Sequence, residues 1–180
     1  PSVTIVGIGI DVMAAVTDTL LDDIEALPGE DGAGVDEFVL VVDVKAGCSR
    51  TRIVRPQFRQ HASAAGVIAG VKLTGASDDV EIIGPGYIEA IGAAAVAPIN
   101  GDTTLSTHVR IEDLVLVSDT QPGIELLTGT TGVIRNVDIF SDLATIAAAT
   151  VADGMAHFRV RYVEVGNESD AIVKTASVDD

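Results

Sequence analysis

Asp78 and Asp79 stand side by side in "GASDDVEI". Two neighbouring carboxyls can divide the work of glycosidic cleavage, one donating a proton and the other acting as base or nucleophile. That chemistry needs the two groups held across a bond, with a cation behind them. Adjacent acids in a Gly-Ala-Ser-Asp-Asp run shape a turn more simply, because short acidic side chains hydrogen-bond to nearby backbone. The pair is therefore read as a turn. Cys48 has Arg50 and Arg52 close in sequence, and cations lower the pKa of a thiol. No His or Asn partner accompanies it, so it is read as a small buried side chain. "GIGIDV" at 7–12 imitates a dinucleotide loop, but Val12 holds the third glycine position and no second strand–helix–strand unit follows. "GEDGAGVDE" at 29–37 is a second candidate for calcium, although it lacks the alternating ligand spacing of a calcium loop.

The elements that must carry these residues show a repeat. "RIEDLVLVSD" at 110–119 returns as "VIRNVDIFSD" at 133–142. On their apolar positions, Ile111, Leu114 and Leu116 match Ile134, Val137 and Ile139, then Val160, Val163 and Val165. Upstream, Val80 and Ile82 align with Leu114 and Leu116, and "YIEAIG" at 87–92 aligns with "GIELLTG" at 123–129. Periods in the twenties with short strands predict a solenoid whose successive strands stack about 4.8 Å apart. Before the repeats come a strand, "SVTIVGIGID", and a segment with helical spacing at Val12, Val16, Leu20, Leu21, Ile24 and Leu27. Pro28-Gly29 ends that segment, and "EFVLVVDVKAG" reads as a strong strand. A basic stretch, "RTRIVRPQFRQ", follows at 50–60 with four of the eight arginines.

The run "LLDDIEALPG…DEFVLVVDVKAG…VKLTGASDDVEIIGPG" resembles the entry to a right-handed parallel β-helix of the pectin-lyase-like superfamily, and "GIELLTGTTGVIRNVDI" resembles an interior coil. The resemblance implies an all-β fold: a short right-handed parallel β-helix of five or six coils, with an N-terminal strand and a capping α-helix. It divides the single structural domain into residues 1–60 (strand, cap and entry strand) and 61–180 (coils). Members of that superfamily include pectin-degrading enzymes and viral spike and decoration proteins. The polygalacturonase-like set of "NTD", a paired "DD", "GHG" and "RIK" is not present as such. Nor is there a match to the two Asp, Arg and Gln of the methylesterase-like set.

The stacked register tests the remaining polar residues. His108 and His157 fall two coils apart with Thr131 between them, roughly 9–10 Å, too far to share one zinc. His61 has no Cys or His companion in its stretch. Asp119, Asp142 and Glu168 form an acidic row, read as solvated. Catalytic, cofactor-binding and metal residues are all assigned as none, and calcium on an acidic row is the one ion kept open. Glu112, Arg135 and Arg161 stack as an exterior row. Val117 and Phe140 form either an outward apolar strip or part of the core.

Composition narrows the partners. The hydrophobic share is 47 % and the mean hydropathy +0.40, yet the formal net charge is −16. Few, scattered cations argue against nucleic acid. Three lysines only, Lys45, Lys72 and Lys174, and many acids resemble proteins of salt-loving organisms, where molar salt shrinks the screening length to roughly 3 Å. No apolar run is long enough to span a bilayer, and a lone cysteine forms no intrachain disulfide. The start has no basic residue before its apolar run, and Pro1 reads as exposed by loss of an initiator Met. Together these predict a non-enzymatic structural virion protein, a capsid decoration, turret or spike subunit of a virus infecting a halophilic host. It would be made in the host cytoplasm without a signal peptide and reside on the virion surface. Expected partners are its own copies (trimer before pentamer), other virion proteins such as the major capsid protein, and host surface glycan. The alternatives are a carbohydrate-active lyase, hydrolase or esterase, or a glycan- or protein-binding module.

Overall fold

The computed structural model describes residues 7–26, 38–59, 69–90, 96–101, 106–118, 123–126, 130–141, 149–151, 159–160, 163–165 and 173–174. They form sixteen strands. β1 (Gly7–Val12), β4 (Phe38–Val44), β7 (Ala69–Leu73), β9 (Ile99–Gly101), β11 (Ile124–Leu126), β13 (Ala149–Val151) and β16 (Val173–Lys174) make a seven-stranded first sheet in that order. The nine-stranded second sheet runs from β2 (Leu20–Asp22) through β5 (Ser49–Val54), β8 (Asp78–Ala90), β10 (Val109–Ser118) and β12 (Gly132–Ser141) to β14 (Arg159–Val160). β3 (Glu25–Ala26), β6 (Gln57–Phe58) and β15 (Val163–Val165) complete it. All strand pairs are parallel, and the chain passes from one sheet to the other and back. Each such pass is called a level below, with β1–β3 as the first and β4–β6 as the second.

No helix occurs among the described residues. The expected right-handed parallel β-helix with a capping α-helix is therefore corrected, and with it the likeness to the pectin-lyase-like superfamily. What forms is a pair of all-parallel sheets. The physical reason is local. Ala15, Asp18 and Asp23 have φ of 60°, 59° and 56°, the left-handed region that a right-handed helix cannot include. Between Asp18 and Asp23, Leu20–Asp22 pairs with Arg52–Val54, and just after Asp23, Glu25–Ala26 pairs with Gln57–Phe58. The apparent helical face is no face: Val12 is buried, while Val16 and Leu20 are 39 % and 60 % exposed.

The core lies between the sheets. Val42, Val44, Val71, Leu73 and Ile99 come from the first sheet; Ile53, Ile82, Ile88, Ile111, Leu116, Ile134, Val137 and Ile139 come from the second. Ile111 pairs with Ile134, Leu114 with Val137 and Leu116 with Ile139; Val160, Val163 and Val165 follow, as the apolar spacing predicts. Upstream the alignment needs correction. Val80 and Ile82 stand level with Val109 and Ile111, while Gly86 and Ile88 face Leu114 and Leu116. "YIEA" belongs to the second sheet, whereas Ile124–Leu126 pairs in the first.

At the first, second and fourth levels the second sheet bends at two left-handed residues spaced five apart: 18 and 23, 50 and 55, 108 and 113. The third level has left-handed Asp79, with Gly84 opposite Asp113 but not left-handed, and the fifth has Asn136. These bends stack into two columns along the fold. Asp and Asn tolerate the left-handed region better than other side chains, which explains five of the places. Gly84 answers a tighter need, because a Cβ there would lie 1.6 Å from the Asp113 carbonyl oxygen.

Candidate functional site

Between the first column of bends and the outward face beside it run two adjoining shallow depressions, of about 490 and 600 Å³. They share Asp79 and Glu81. The register places Leu20, Arg52, Glu81, Arg110 and Val133 in one outward column along this groove. The bend residues Asp18, Arg50, Asp79 and His108 form its rim.

Nearly every charge here meets an opposite one on the next level. Arg50 donates to both carboxylate oxygens of Asp18, at 2.5 and 2.7 Å, and this contact holds Asp18 below the usual carboxylate range. Arg52 lies 2.5 Å from Glu81, and Arg110 reaches the same carboxylate at 3.4 Å. Arg110 also donates to Glu112 at 2.8 Å, and Arg135 donates to the same oxygen at 2.7 Å. Glu112 is buried although it faces outward, and the two guanidiniums hold its carboxyl below the ordinary range. A continuous network Arg52–Glu81–Arg110–Glu112–Arg135 thus crosses four levels. Elsewhere Arg55 pairs with Asp22 and Asp23, and Lys45 with Asp43 and Asp11. The basic stretch at 50–60 is accordingly held between acidic neighbours.

The residues singled out from sequence are dispersed in role. Asp78 and Asp79 do not act as an acid pair. Asp78 accepts from Thr107 Oγ1 at 2.5 Å and lies 2.8 Å from His108 Nδ1, while Asp79 takes a bend position. The hydrogen bonds from Thr107 and His108 lower the Asp78 pKa, and that carboxylate raises the His108 pKa. An imidazole paired with a carboxylate can move a proton. His108 is well exposed, and the other hydrogen bond at this residue runs from its backbone N–H to Thr131 Oγ1. No group of three or more His, Cys, Asp or Glu suited to a metal ion is found among the described residues. Cys48 is buried, its thiol directed at the Met13 carbonyl oxygen at 3.1 Å. The strand at 7–12 leads into a turn and not into a helix, which removes the dinucleotide geometry. His61, His157, Asp119, Asp142, Arg161, Glu168 and the 29–37 loop lie outside the described residues.

Phe140 is 45 % exposed and Val117 half-buried, so the strip they form faces outward. Sequence reasoning missed the groove because its pairs join residues about thirty positions apart. Only the five-residue spacing of the bends signals it.

No family model matches this chain, and neither does any curated protein or solved structure.

Proposed function

We propose that this chain is a non-enzymatic structural subunit of a virion surface, a capsid decoration, turret or spike component of a virus whose host lives in concentrated salt. The disposition of charge carries the reading. Lys45, Arg50, Arg52, Arg55, Arg110 and Arg135 are each engaged with acids, most of them on a neighbouring level. With 11 cations against 27 acids, the surplus of 27 − 11 = 16 negative charges is left for solvent. Cations thus serve the cohesion of the stack, and the carboxylates form an acidic mantle suited to high salt. Copies of the chain and the capsid beneath are the partners this role requires. The test is direct: antibody raised against the purified chain should label the surface of intact particles, and particles lacking the protein would refute the reading.

The groove beside His108 and Asp78 favours a second reading, a module that binds or cleaves a carbohydrate. Its mixed donors and acceptors, with Leu20 and Val133 among them, suit a polyhydroxylated ligand. Incubation with polygalacturonate and with host surface polysaccharide separates the two readings. Released reducing ends or unsaturated products would displace the structural one.

A further inference from the structure

Beyond its second bend, the second sheet turns two columns of side chains outward. Register places Gln57, Tyr87, Val115 and Asp138 in one column. Arg59, Glu89, Val117 and Phe140 form the other. Tyr87, Val115 and Val117 are half-buried, Phe140 is exposed, and the four are neighbours across three levels. Met13, Val16 and Leu20, the other large apolar side chains exposed among the described residues, all lie at the first level. Arg59 sits at the edge of this patch with its guanidinium 5.3 Å from the Tyr87 ring centre. An apolar, aromatic patch with a cation at one end and an acid at the other is unusual on a chain with so few aromatics and so much negative charge.

We propose that this face is a two-fold interface with a second copy of the chain, its axis running along the strands between β8 and β10. Such an axis reverses the order of levels and keeps the position along each strand. The second level then meets the partner's fifth, and the third meets the partner's fourth. Tyr87 lies on a partner Val115. Arg59 reaches a partner Phe140 and the Asp138 beside it, repeating with a second ring the guanidinium–aromatic contact it already makes. Gln57 can donate to the same Asp138. These contacts occur twice, as an isologous interface requires. An axis along the stack is less suitable: it would set Asp138 on Phe140 with no cation beside it and Arg59 on the neutral Gln57. One cost remains in the chosen geometry. Glu89 lies beside the axis, near its own symmetry mate, and like charges there oppose association. The patch, two residues wide over strands about 4.8 Å apart, is smaller than a standard interface, so the pair is reversible and forms as concentration rises.

Sedimentation equilibrium of the full chain over a wide concentration range tests the proposal. Wild type should pass from monomer to dimer. Phe140→Asp and Arg59→Asp should each weaken dimerisation by about tenfold or more. Arg59→Asp combined with Asp138→Arg should restore it, and Glu89→Gln should tighten it several-fold. Circular dichroism confirms folding, and Arg59→Asp carries the test if Phe140→Asp does not fold. A wild type that stays monomeric would leave the face to another protein and overturn the proposal. So would a combined reversal that fails to recover the dimer, or a Glu89→Gln variant that dissociates more readily. None of these results bears on whether the chain is found on particles, so the virion reading stands or falls separately.

Discussion

Glu112→Gln is the most informative single change. The Glu112 side chain is 4 % exposed, whereas Arg110 and Arg135, which bind it, are 43 % and 37 % exposed. The carboxylate is the dry partner, and the guanidiniums keep water on one side. Hydrogen bonds to charged groups contribute about 1.5–3 kcal/mol, and breaking a fully buried pair costs about 3–5 kcal/mol. Because the arginines can rehydrate, the lower range applies, and the loss should be about 2 kcal/mol. For a chain of this size that is about 4–8 °C in melting temperature. The pH dependence has a defined sign. The folded-state pKa of Glu112 is lowered, so its contribution is present above the unfolded-state pKa and disappears as pH falls through the folded value. Chemical denaturation of wild type and variant should differ at neutral pH and converge on acidification. Adding Arg135→Gln should then cost less than it does alone, since the two groups form one network. Equal stability at neutral pH, or a gap that widens in acid, would refute the placement of Glu112.

Three further outcomes follow from the same geometry. Val137→Asp puts an unpaired charge at a fully buried position beside Leu114 and should cost several kcal/mol; a variant melting with the parent would show the register to be wrong. Gly84→Ala sets a methyl group against the Asp113 carbonyl with no rotamer to escape it, so soluble folded protein should fall sharply, and normal yield and melting would disprove the bend column. Melting temperature should climb from dilute buffer to about 2 M KCl, most steeply at the low end, as the screening length falls from roughly 10 Å toward 3 Å or less; insensitivity to KCl would remove the argument for a salt-loving host.

What sequence could reveal depended on whether the signal was periodic or relational. The columns through Ile134, Val137 and Ile139 were legible because burial repeats the same apolar spacing in each strand. The exterior pair Glu112–Arg135 followed from that register. The third level misled, because Gly84–Pro85 inserts an extra residue before Gly86 and shifts every later apolar position. Residues 12–27 misled differently. Two short strands separated by left-handed turns happen to place Val12, Val16, Leu20 and Ile24 at intervals of four, which imitates a helix. The charge pairs of the first three levels were illegible for a third reason. Arg50 and Arg52 read as a basic cluster until the levels above and below supply Asp18 and Glu81.

Those pairings bear on how a stack of similar strands finds its order. Apolar columns alone allow a strand to skip a level: β10 laid on β5 would set Val109 and Ile111 against Thr51 and Ile53, a tolerable core. Charge forbids it. Arg110 would face Arg52, His108 would face Arg50, and Glu81 would lose both cations that now flank it. Like charges set directly opposite in a sheet are destabilising, on the scale of about 0.2–1 kcal/mol for each pair. The correct order instead alternates sign at the same place, with Arg52, Glu81 and Arg110 in one column and Asp18, Arg50 and Asp79 in the next. Each pair is exposed and weak taken singly. Acting together over the first four levels, they penalise the misordered stacks that the hydrophobic pattern would accept. Apolar burial supplies the cohesion of this fold, and the charge columns decide which strand lies on which.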